Sequence, residues 1–185
     1  MLKYLLIIAI AGFSCWLLSE VLEIVQGGYS TSVYYLTSAY HLLAGIGIWG
    51  LCLLQPRENY KWLAVGAALA SVFYILLTPF PLQLLSSGLN AREFVDANPI
   101  YKLVALGWFS GMIIFSVSTL KTGYFPRWAS LIMVVGTIVF TVSPILEWPS
   151  LLVNANNIIF AGAVLYNCVF GLLAGGGSTR VEVSA

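Results

Sequence analysis

Charge is what this sequence has least of. Only 8% of its 185 residues are Asp, Glu, Lys or Arg, where a soluble domain of similar length carries about a quarter to wet its surface. A mean hydropathy of +0.94 points the same way. The formal net charge is +1 and no basic block occurs, which argues against nucleic acid as a partner. Histidine occurs once, as His41, too few for a self-contained zinc site or a bis-histidine haem. The three cysteines, Cys15, Cys52 and Cys168, lie in apolar stretches with no Cys-x-x-Cys. An odd count so placed argues against a disulfide framework and for small packing residues. A Gly-x-Ser-x-Gly nucleophile, a phosphate loop and a metal-ligand pair are all missing, so an intramembrane acid–base enzyme ranks last among the functions weighed.

Long apolar runs are what the chain has instead. Six of them, over 5–25, 33–54, 62–85, 100–120, 128–146 and 151–174, are about long enough to cross a ~30 Å hydrocarbon layer at 1.5 Å per residue. Met1-Leu2-Lys3 ahead of the first run imitates a secretory signal. Gly12-Phe13-Ser14-Cys15 is a poor cleavage match, so the segment is expected to stay as the first span. The expected fold is an all-α integral membrane bundle of six transmembrane helices, one domain over 1–174, with a flexible polar tail over 175–185. Asn98-Pro99 announces the fourth span. Residues 86–98 have the pattern of a short amphipathic helix on the surface, a connector or a lid.

Orientation follows from the short loops. With both termini cytoplasmic, Lys3, Arg57, Lys61, Lys121, Arg127 and Arg180 face inward, leaving Arg92 and Lys102 outside. Glu20, Glu23, Glu93, Asp96 and Glu147 then gather toward the outer side, while Glu58 and Glu182 fall inside. Trp62 and Trp128 fall at the inner interface, and Tyr34, Tyr35 and Trp148 at the outer one, as an aromatic belt requires.

The six spans also read as three copies of one helical hairpin, returning about every sixty residues. Ser19-Glu20, Thr78-Pro79 and Ser143-Pro144 end the odd spans. Tyr40-His41, Tyr101-Lys102 and Asn156-Asn157 open the even ones, which makes His41, Lys102 and Asn157 equivalent positions.

An ionisable group in hydrocarbon is costly and therefore a functional candidate. Glu20 and Glu23 share a helix face, Glu20 about 7 Å and His41 roughly 12 Å inside their spans by helical rise. Glu20, Glu23, His41, Lys102, Glu147 and Asn157 form the candidate binding site, an outward-opening polar pocket for a proton, a cation or an amphiphilic ligand. Two neighbouring carboxylates disfavour each other's charge, so one of the pair is expected to hold a proton. The bland alternative is a structural network that reaches the headgroups. Pro79, Pro81 and Pro144 free backbone carbonyls near the same depth, which a pocket or ordinary helix punctuation explains equally. His41, with Gly45 one turn away, is also compatible with axial ligation of a haem or chlorophyll-type ring completed by a second chain. Gly107-x-x-x-Gly111 and Gly171-x-x-x-Gly175 mark close helix contacts, within the bundle, in a homo-oligomer, or in a larger membrane complex that this chain serves as an accessory subunit.

The loop Gly123-Tyr124-Phe125-Pro126-Arg127-Trp128, with Asn98-Pro99-Ile100-Tyr101 and Gly107-Trp108 before it, resembles a pattern in small bacterial polytopic membrane proteins without assigned chemistry. The resemblance covers mainly 98–144. It implies a bacterial inner-membrane bundle and carries no catalytic residue with it.

Overall fold

In the computed structural model the described residues, which are 1–56, 60–143, 146 and 148–176, form helices joined by short turns and no strand. Among the described residues eight helices follow one another: α1 (Leu2–Gln26), α2 (Thr31–Leu54), α3 (Tyr60–Leu77), α4 (Phe80–Ser87), α5 (Ala91–Ala97), α6 (Pro99–Thr122), α7 (Arg127–Val142) and α8 (Ser150–Gly176). Five stretches are long and apolar enough to cross a membrane: Leu2–Gln26, Thr31–Leu54, Tyr60–Ser87, Pro99–Thr122 and Ser150–Ala174. The chain is therefore an integral membrane protein by the length and composition of its helices. The stretch expected as the fifth span is shorter. Its helix, Arg127–Val142, has 16 residues, about 24 Å at 1.5 Å per residue.

Sequence signals explain most boundaries. Gly27, Gly88 and Gly123 close α1, α4 and α6 with φ near +70° (70°, 69° and 64°), a conformation that costs glycine least. Asn90 and Glu93 form a reciprocal capping box at the start of α5, so the 86–98 stretch does hold a short helix. The run expected over 62–85 is divided. Pro79 supplies no N–H to the Ile75 carbonyl, which takes Thr78 N–H in a tightened turn instead (3.2 Å). The chain then restarts as α4.

Packing joins α1 to α2, α3 to α6 and α7 to α8, and α1 also lies along α8. Glycine makes the first two contacts close. Gly47 faces Ala9 and Gly50 faces Leu6 across α1–α2, while Gly66 faces Phe115 and Gly111 faces Ala70 across α3–α6. The expected seams are thus used inside the bundle: Gly107 packs on Phe73 and Gly171 on Leu54. Leu103, Leu106, Ile159 and Leu173, each more than half exposed, present an apolar exterior compatible with lipid.

The two ends of the bundle differ in charge. One end collects Lys3, Lys61, Lys121 and Arg127 and, among the described residues, no acid. The other holds Glu20, Glu23, Glu93 and Asp96 with Arg92 and Lys102. At the basic end a buried amide ties α2 to α6. Gln55 Nε2 donates to Thr119 Oγ1 (3.1 Å) and Gln55 Oε1 accepts from the Thr122 hydroxyl (2.7 Å). Arg57, Glu58, Pro144, Glu147, Arg180, Glu182 and the tail beyond Gly176 lie outside the described residues.

Candidate functional site

The candidate site lies at the acidic end, where α1 meets α8. Trp16 and Glu20 are one turn apart on α1, so they share a face. The Trp16 indole N–H donates to Glu20 Oε1 (2.6 Å). Asn157, on α8, donates through Nδ2 to the same oxygen (3.1 Å). Glu20 Oε2 is buried and accepts nothing from the described residues. The carboxyl group is therefore asymmetric, with two donors on one oxygen and none on the other. No cation among the described residues contacts it, so its donors alone offset the loss of water.

The cluster is closed. Glu20, Asn157 and Asn154 are 7%, 4% and 6% exposed, in contrast with the outward-opening pocket expected. Aromatic rings close it. Trp16 stacks on Tyr40 (centroids 4.6 Å, interplanar angle 16°) and meets Phe160 edge-on (5.5 Å). Tyr40 meets Tyr74 edge-on, and their hydroxyls are 2.7 Å apart in a hydrogen bond. Tyr74 packs against Trp108, and Trp108 against Phe140 (5.0 Å). This chain of rings crosses α1, α2, α3, α6 and α7. The Trp108 indole nitrogen is buried near the Tyr74 hydroxyl without reaching hydrogen-bond geometry.

Glu23, one turn beyond Glu20, is half-buried beside the side chains of Asn154 and Tyr29. Asn156 donates to the Gly136 carbonyl of α7 (3.2 Å). The α8 asparagines thus divide their work, Asn154 and Asn157 toward the α1 carboxylates and Asn156 toward α7.

The other expected site residues go elsewhere. Lys102 turns outward and pairs with Asp96 (2.9 Å), both side chains being about half or more exposed (49% and 66%). The hydrogen bond and charge of Lys102 hold the Asp96 carboxyl below its usual range, but a pair so exposed adds little stability. Lys102 is not part of the cluster. Glu147 lies outside the described residues.

His41 sits near the Leu77 carbonyl, a group whose helical donor would be the residue at position 81. That residue is proline, which has no N–H. The His41 Nδ1 is buried and meets no hydrogen-bond partner among the described residues. The ring expected as a haem or chlorophyll-type ligand has no space here. A Cβ on Gly45 would already meet Ile75, the Ser71 carbonyl and Tyr74 at 3.0–3.1 Å, so α3 fills the gap that a macrocycle would need.

Sequence reasoning gave Trp16 and Tyr74 no part, and named Tyr40 and Trp108 for the repeat and the loop resemblance but not for the site. The available signal was Trp16 at helical spacing from Glu20.

Fold and site together define a helical integral membrane protein with a sealed carboxyl group between its first and last helices. Compared with family models, curated proteins and solved structures, the chain matches none.

Proposed function

We propose that the protein binds a proton or a monovalent cation at Glu20 and carries it through the bundle. The supporting observation is the unequal carboxyl group. Oε1 is fixed by Trp16 and Asn157, while Oε2 is buried with no partner. Uptake occurs at Oε2. Because Glu20 is sealed by Trp16 and its ring neighbours, exchange requires these rings to part, and the break at Thr78-Pro79 beside Tyr74 is the hinge at which they do so. Glu23, half-buried between Glu20 and the end of α1, is the relay to water.

The reading includes six spans with both termini cytoplasmic. Backbone bonding past α7, from Leu146 N–H to the Val142 carbonyl (3.0 Å), supports Arg127–Val142 as the core of a sixth crossing. The four cations at one end, with no acid among the described residues there, support the orientation. The hairpin repeat belongs to this reading as well. When Ser19 is set against Ser143 and His41 against Asn157, Gly12 on Ala44 corresponds to Gly136 on Phe160. A bacterial inner membrane, as the Gly-x-x-Pro-Arg-Trp loop implies, is the proposed location.

The test is flux into proteoliposomes containing pyranine as a pH reporter, driven by a potassium diffusion potential, with a sodium-sensitive dye in a parallel set. Wild-type vesicles should acidify or take up sodium faster than protein-free vesicles, and Glu20→Gln should fall to the protein-free rate. Wild-type vesicles no faster than empty ones in both sets, or a Glu20→Gln variant as fast as wild type, would overturn the proposal.

A further inference from the structure

Two concavities at the basic end take no part in the Glu20 site. One, of about 420 Å³, lies between Trp62 of α3 and a strip of α6 made of Ile113, Ile114, Val117, Ser118 and Lys121. The other, of about 530 Å³, has Leu120, Tyr124, Phe125 and Phe170 as its walls and Arg127 at its rim. Each is an apolar wall with one cation.

The geometry of the first is directional. Ile113, Val117 and Lys121 follow at four-residue intervals and so line one stripe of α6, about 12 Å long by helical rise. The stripe is hydrocarbon for most of its length and ends in an ammonium group beside a mostly exposed indole, Trp62. That order matches a lipid lying along the helix, acyl chain inward and headgroup at the end. Trp128, half exposed, follows Arg127 in the chain at the same end of the bundle, and tryptophan favours the headgroup level. Neither Lys121 nor Arg127 has an ion-pair partner among the described residues. Lys3 and Lys61 add to the same field with no described acid to oppose it.

We propose that these two concavities hold anionic phospholipids, with a phosphodiester on Lys121 in one and on Arg127 in the other. A guanidinium can meet a phosphate with two parallel N–H bonds and an ammonium with one. A zwitterionic lipid brings its own ammonium into a field of four cations and binds less well. The inference is independent of the reading of Glu20.

Native mass spectrometry of the full chain in neutral detergent tests it, with phosphatidylglycerol or phosphatidylcholine of identical acyl chains added. Phosphatidylglycerol should be retained at about fivefold lower concentration than phosphatidylcholine, the factor that one engaged cation per lipid contributes. Lys121→Gln and Arg127→Gln should each remove one retained phosphatidylglycerol, leaving phosphatidylcholine retention and the melting temperature unchanged. Soluble glycerol phosphate at millimolar concentration should not displace the lipid. Equal retention of the two lipids, full retention by the double variant, or displacement by glycerol phosphate would each overturn the proposal, the last by showing that the apolar walls contribute nothing.

Discussion

Glu20→Ala should unfold well before the wild-type protein, and Glu20→Gln should not. Alanine removes the only acceptor that Trp16 Nε1 and Asn157 Nδ2 have in common, leaving two buried N–H donors unpaired. Each orphaned donor costs about 1–3 kcal/mol in a protein interior. Measured bonds between membrane helices average nearer ~0.6 kcal/mol, because the separated helices find other partners. A combined loss of roughly 1–4 kcal/mol follows, seen as a lower melting temperature in detergent and a shifted Trp16 emission. Glutamine keeps a carbonyl oxygen for both donors and places its new NH₂ where Oε2 was, an atom that had no partner to lose. If flux fails in Glu20→Gln at wild-type stability, the defect belongs to Oε2 and not to folding. Equal stability of Glu20→Ala and wild type would mean that Trp16 and Asn157 do not share this carboxyl group.

The membrane-crossing runs were legible because length and apolarity alone define them, and most helix ends follow local chemistry, as at Asn90, Gly123 and Pro99. The break after Leu77 was half legible. Two prolines announced a disturbance, but a hydropathy run passes over Thr78-Pro79 without a gap. Glu20 and Asn157 stood out as polar residues in oil. Their direct contact did not, because it joins the first and last helices, and periodicity within a helix says nothing about which distant helix lies beside it. Lys102 misled for a local reason. Its flexible stem lets the ammonium leave the helix face for Asp96, six residues earlier and on a separate helix. His41 stood out in the same way as Glu20, and its place near the Leu77 carbonyl depends on how α2 lies against the end of α3, which periodicity within a helix does not give.

Gly47→Ala, the addition of one methyl group, should destabilise the bundle as much as a large core change, and Gly47→Leu should prevent assembly. A Cβ on Gly47 would come within 2.4 Å of the Ala9 Cα and 2.5 Å of its backbone nitrogen. Those are main-chain atoms of α1, which no rotamer change can move. The helices must separate by about an ångström, and overpacking of this kind costs roughly 1–3 kcal/mol for small additions. Separation would also pull Trp16 away from Tyr40, now 4.6 Å apart in a stack, so the strain reaches the ring system beside Glu20. Gly162 provides the control, since a Cβ there meets nothing within 4 Å, and alanine is the better helix former by about 1 kcal/mol. Thermal unfolding of the two alanine variants in the same detergent should therefore move in opposite directions or leave Gly162→Ala unchanged. A Gly47→Ala protein melting with wild type would mean that α1 and α2 do not approach at this register, and the Trp16–Tyr40 stack would have to be abandoned with it.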